Sequence, residues 1–200
     1  MKYEILKFDT MEVDFHQVYR IKNVNTGELG GYIENEDNLS QEGNCWVHRN
    51  AIVYGRARVR DNAQIMDCAK VCGQNVCFDF GDVIVYDNAR VREKAKVSDD
   101  AKVFHNADIF GEAIVHGRAE VSENAQVFDK SEVYGWVKVK GNSKICGRTN
   151  INSDSEVIDT ILKDCEITGG GKIVMKSVEL VGIKTNYSSG IIKNLESNPF

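Results

Sequence analysis

Four histidines, six cysteines and a cluster of arginines are the residues of this chain best suited to do chemistry. An imidazole titrates near neutral pH and can take a proton from a hydroxyl or amine as a general base. His116 and His48 are the catalytic candidates, although none of the four histidines sits in a motif that specifies a catalytic loop. A zinc site would need three or four converging nitrogen or sulfur ligands. The spacing of His48, His105 and His116 does not suggest convergence. Cys45, Cys68, Cys72 and Cys77 invite the same reading, but the repeat described next gives two of them a simpler place, and no metal is expected. Arg56, Arg58, Arg60, Arg90 and Arg92 concentrate positive charge in a chain of net charge −5. Guanidinium groups suit bidentate contacts to phosphate or carboxylate, so these five are the anion-binding candidates. The competing reading is a solvated surface balanced by nearby Asp and Glu.

The element that must position these residues is a six-residue repeat. Ala51, Ala57, Ala63 and Ala69 are each followed two residues later by Val53, Val59, Ile65 and Val71. Val47 starts this series and Cys77 closes it. A second series runs from Val85 through Val91, Val97, Val103, Ile109, Val115, Val121, Val127, Val133, Val139, Ile145 and Ile151 to Val157. Residues two apart share one side of a strand, so the small and the aliphatic position both face inward. The remaining positions form an outward face and a corner rich in Gly, Asn and Asp, which tolerate the positive φ of a sharp corner. Three such units make one triangular turn, and no unit can bury its face without neighbours above and below. In this register Cys45 and Cys77 are inward, and Cys165, two before Ile167, fits an inward place too; Cys72 and Cys146 point outward. The chain is therefore expected to be an all-β parallel β-helix over residues 44–157.

These hexads resemble the hexapeptide-repeat, left-handed parallel β-helix family. The stretch from Leu29 to Val59, LGGYIENEDNLSQEGNCWVHRNAIVYGRARV, is similar to the start of phage- and prophage-associated hexapeptide proteins of unassigned role, some labelled acetyltransferases. The resemblance covers about residues 15–157. It implies the left hand, a trimer, and, for enzymes of this fold, a histidine between subunits acting as base on an acyl-CoA. Acetyl-CoA is expected only on that reading; otherwise no cofactor is.

Residues 1–43 are expected to cap the helix, with strands at Tyr3–Phe8 and Gln17–Val24 around a turn near Asp9–Thr10. The frame shifts by two between Cys77 and Val85, which reads as a bulge at 78–84. Residues 158–200 read as a degenerate last coil, in which Ile161, Ile167 and Ile173 keep some spacing, followed by one more strand or a hairpin over 174–184 and a tail. If the bulge leaves the three faces in order, His48, Met66, Tyr86 and Phe104 form one outward column. Tyr54, Cys72, Arg92, Phe110, Phe128 and Cys146 form a second, and Arg60, Phe78, Ser98, His116 and Tyr134 a third. Phe110 and Phe128 should then stack as an exposed ladder, and with Tyr86, Phe104 and Tyr134 they are the interface candidates, since exposed apolar columns often mark interfaces.

The mild negative charge argues against nucleic-acid binding. No apolar run reaches the length of a membrane span, and the first ten residues lack a signal-peptide core, so a cytoplasmic protein of a bacterial host cell is expected. The favoured function is a non-catalytic, oligomeric binding or assembly protein, for example a phage accessory or anti-defence protein that binds a host protein or sequesters a small anionic signal. A hexapeptide acyltransferase and a structural filament element are the alternatives.

Overall fold

An inward aliphatic residue every sixth position leaves room for a strand of only a few residues before the chain must turn. The computed structural model describes residues 1–73, 83–152, 154–169, 171–174, 179–182, 184–187 and 191–192. Most coil strands there are two to four residues long, and each pairs in parallel with the strand one coil earlier and one coil later. The result is an all-β parallel solenoid with three sheets. Face one carries Ile52–Gly55, Lys70–Gly73, Lys96–Ser98 and their successors; face two begins at Arg58–Val59, and face three at Trp46–Val47. The inward Ala, Val and Ile residues are almost completely buried and form one continuous core. Each buried Val or Ile contributes roughly 1.5–3 kcal/mol.

Where the small inward position is Ser or Thr, its hydroxyl donates to a corner carbonyl: Ser155 to Gly169 at 3.0 Å, and Thr149 to Cys146 at 2.6 Å. These buried hydroxyls are therefore satisfied and do not break the core.

Parallel pairing starts upstream of the hexad series. A strand at Leu29–Ile33, β3, pairs in parallel with Ile52–Gly55, and Leu39 bridges to Val59. Buried Asn38 completes this first coil by donating to the carbonyls of Gly55 and Ala57, both at 2.9 Å. The capping hairpin joins β1 (Tyr3–Val13) to β2 (His16–Asn23), and β2 pairs antiparallel with β3. Its turn lies at Asp14–Phe15, both at positive φ, and not at Asp9–Thr10. Asp9 is drawn instead into a bulge, where Arg20 Nε reaches its carboxylate at 2.6 Å and the Tyr32 hydroxyl donates to it at 3.2 Å.

Two further expectations change. Val71 on face one is followed by Val85 on face two, since Val59 pairs with Val85 and Val53 with Val71. Fourteen residues are spent on one face step, so everything downstream of the irregularity sits one face away from the expected columns. Cys77, Phe78 and residues 78–82 lie outside the described residues. Toward the C-terminus, Leu162 takes the inward place expected of Ile161, and Glu179–Val181 adds one more parallel strand against Ile161–Lys163, the strand alternative and not the hairpin. Ile191–Ile192 continues the parallel stacking, and the rest of the tail from Ser188 lies outside the described residues.

The shift to Leu162 arises from shortened corners. In a regular coil the Asn124 amide donates to the Gly141 carbonyl at 3.0 Å. One coil later, where a residue is missing, the Asn142 amide donates to the Asp159 side chain at 2.9 Å. The next corner repeats the device, with the Arg148 amide donating to Asp164 Oδ1 at 2.9 Å. Gly141 and Gly147 fit beneath these carboxylates because a Cβ at either position would collide with them. Asp159→Ala should therefore destabilise the protein by roughly 1–3 kcal/mol, while Asp159→Asn, which keeps an acceptor oxygen and tolerates positive φ, should cost less. Denaturant unfolding with hydrogen exchange at the Asn142 amide checks this, and equal behaviour of the two variants would remove the acceptor role.

Candidate functional site

The side chain that follows each inward Val or Ile points outward, so neighbours one coil apart stack along each face. The corrected columns are Arg60, Tyr86, Phe104, Ser122 and Lys140 on face two. Face three carries His48, Met66, Arg92, Phe110, Phe128 and Cys146, and face one carries Tyr54, Cys72, Ser98, His116, Tyr134 and Asn152. The interface candidates are thus divided among three faces. Tyr86 stacks on Phe104 at 5.0 Å, Phe110 on Phe128 at 4.8 Å and His116 on Tyr134 at 4.9 Å. All six rings are half-buried. Phe110 is additionally covered by the Arg92 guanidinium, 4.0 Å from its centroid.

The histidines are not brought together. His116 lies between two carboxylates, with Nε2 3.0 Å from Glu132 and Nδ1 3.4 Å from Asp99. Asp99 also accepts from the Gly117 amide at 3.0 Å, and Glu132 from Asn150 at 3.2 Å. Both ring nitrogens are turned to groups that are themselves fixed to the frame, so the arrangement is a clip between coils. His48 donates from Nε2 to Gln64 Oε1 at 2.7 Å; the Gln64 amide nitrogen donates to the Asn44 and Asn62 carbonyls, which fixes the direction of that bond. This leaves Nδ1 as the basic nitrogen of a neutral His48. His105 stands at the corner after face two, edge-on to Phe104 at 4.7 Å.

The five arginines also separate. Arg56 and Arg58 line a small cavity of about 250 Å³ with Glu34 and Asp37, and exposed Arg60 follows on face two. Arg90 and Arg92 stand on face three, where Arg92 holds Asp108 through two bonds of 3.0 and 2.9 Å. The Asp108 hydrogen bond raises the Arg92 pKa further, so this guanidinium already has its carboxylate. Among the cysteines, Cys45 and Cys165 are buried inward, as the register requires. Cys72 and Cys146 occupy outward positions yet are buried as well. Burial pushes both thiols up, away from the reactive thiolate. Among the described residues no three metal-binding side chains converge.

Sequence reasoning misses a cluster at the corner between faces one and two. Asp100, Arg118 and Trp136 stack there, one per coil. The Trp136 ring is 58% exposed, and the Arg118 guanidinium lies over it at 4.5 Å. A cavity of about 370 Å³ opens beside them, lined also by Ile84, Lys102, Glu120 and Lys138 from face two. The available signal was a tryptophan directly after a corner glycine, Gly135.

The hairpin tip also meets face one. The Tyr54 hydroxyl donates to Asp14 at 2.5 Å, His16 Nδ1 lies 3.0 Å from Glu34, and Val13 and Val18 cover Ile52 and Cys72. Among the described residues no helix is long and apolar enough to cross a membrane.

No family model matches the chain. A stretch of 62 residues is 37% identical to the uncharacterized acetyltransferase YdcK of Escherichia coli (strain K12). The match covers 29% of this chain and 19% of that relative.

The Tyr54 hydrogen bond, the largest cause, holds the Asp14 carboxyl below its usual range. Its stabilising effect is complete above the ordinary carboxylate pKa of about 3.9 and is lost as pH falls through the lowered value. Amide resonances of His16 and Val18 should therefore move toward unstructured positions as pH falls below about 4. Tyr54→Phe should loosen the same tip already at neutral pH. An unaltered tip in both cases would remove the clasp.

Proposed function

We propose that this chain is a non-catalytic, oligomeric binding scaffold that presents its outward columns as a fixed surface. The observation that carries the reading is the Phe110–Phe128 stack on face three, whose rings are parallel, half-exposed and without a polar tip to require water. Such a pair loses nothing polar when a partner covers it. The engagement of His116 with two fixed carboxylates supports a non-catalytic reading from the other side, because a base must offer a lone pair to its acceptor. The assembly is a trimer on the family resemblance. The setting proposed with it is a phage accessory or anti-defence protein in the cytoplasm of a bacterial cell, acting on a host protein or sequestering a small anionic signal.

Phe110→Lys with Phe128→Lys should lower the solution mass measured by light scattering while leaving the β-sheet circular dichroism intact. An unaltered mass together with unaltered partner capture would sink the interface.

The second reading is acyl transfer from an acyl-CoA, supported by the likeness of a short stretch to the uncharacterized acetyltransferase YdcK of E. coli. His48 is then the better base, since its Nδ1 is basic in the neutral ring. That reading predicts a thermal shift with acetyl-CoA that His48→Ala leaves in place, together with turnover that His48→Ala removes. No shift at millimolar acetyl-CoA would dismiss it.

A further inference from the structure

We infer that the cavity beside Trp136 is a binding site for a flat aromatic ring joined to an anionic group. The inference concerns a single chain and does not depend on the oligomeric reading above.

The cavity lies between two columns of side chains. One is the corner column of Asp100, Arg118 and Trp136, and the other is the face-two column of Ile84, Lys102, Glu120 and Lys138. Three cations face two carboxylates, so the site keeps a net positive charge. Glu120 lies between the lysines, 3.8 Å from Lys102 Nζ and 3.4 Å from Lys138 Nζ. It gathers both ammonium groups on one side of the cavity without neutralising the pair. The indole stands opposite.

Two features are costly unless something sits here. A tryptophan that is 58% exposed leaves a large apolar ring in water, while the other tryptophan, Trp46, is only 8% exposed. Asp100 spends Oδ2 on Arg118 Nε at 3.2 Å and leaves Oδ1 buried without a hydrogen-bond partner. A buried acceptor without a donor is costly, because it has given up its water without gaining a partner. A planar ring on the indole regains stacking, beside the Arg118 guanidinium that Asp100 already holds over the ring. A ring N–H or amino group can supply the donor that Oδ1 lacks. The anionic group then reaches the lysine pair. Neither an uncharged ring nor a bare anion uses both halves of the site.

Two sources share this chemistry, a nucleoside monophosphate and an aromatic carboxylate. The probes are AMP and indole-3-carboxylate, with adenosine and inorganic phosphate as half-ligands. Titration calorimetry on the full chain is the measurement, with tryptophan fluorescence on a Trp46→Phe background as a second readout from Trp136 alone. At least one complete probe should bind below about 1 mM, and the half-ligands at least about tenfold more weakly. Trp136→Ala and Lys102→Ala with Lys138→Ala should each weaken binding by about tenfold or more without altering the circular dichroism. AMP alone binding would identify the phosphate source, and the carboxylate alone the other. Neither complete probe binding by 10 mM, or binding that both variants leave intact, would overturn the site.

Discussion

Most corners among the described residues of this solenoid turn through left-handed backbone, and the amide of the turning residue is left outside the parallel ladder. The ladder takes the next amide along, as when Asn88 donates to the His105 carbonyl. The chain meets the leftover amide with a carboxylate from the coil before. Asp67 accepts from Glu93, Asp87 from His105, Glu93 from Gly111, Asp99 from Gly117, Glu123 from Gly141 and Asp129 from Gly147. A left-handed non-glycine residue costs roughly 1–2 kcal/mol. A hydrogen bond to a charged group contributes roughly 1.5–3 kcal/mol, so an acidic residue can stand where glycine is easier. Part of the acidic excess, 30 Asp and Glu against 25 Lys and Arg, follows from this duty. Those carboxylates are structural before they are anything else, and Asp99 beside His116 is one of them.

The same constraint explains the corner between faces two and three. Asn44, Asn62, Asn88, Asn106, Asn124 and Asn142 occupy equivalent places there. Each carboxamide nitrogen donates to the next oxygen at 3.1–3.3 Å, and Asn142 ends the chain on Asp159 at 3.4 Å. The direction is uniform, so the ladder needs an acceptor at its last step. Asp159 supplies it and also replaces the carbonyl lost from the shortened corner.

Inward residues were legible in the sequence because burial selects the same small and aliphatic types at every coil. The faces beyond Val71 were not. Cys77 fits an inward place by type, so a fourteen-residue step could be counted as one hexad plus a bulged one. Only the pairing of Val59 with Val85 decides between the counts. Ile161 and Leu162 are equally apolar, and the length of the Asp159 corner chooses between them. Asp9 has turn chemistry, yet Arg20 captures it, and the turn falls to Asp14–Phe15. In each case local type was a correct signal that a contact distant in sequence redirected.

Sites on such a frame are composed across coils, which is why they read poorly along the chain. Asp100, Arg118 and Trp136 are eighteen apart and become neighbours only when the corners align. His116 likewise meets residues seventeen before and sixteen after it. The hexad core does not constrain these outward positions, because an outward side chain can change without touching the inward Ala or Val. Each outward group is instead held by the one above and the one below, at the ladder spacing of about 4.8 Å. A group held that closely keeps its direction well and moves little. That suits fixed recognition of a ring or a partner surface better than it suits a base that must turn to its substrate and back. The stack of Arg118 on Trp136 shares this restraint, since Arg118 Nε also donates to Asp100 Oδ2 of the coil before.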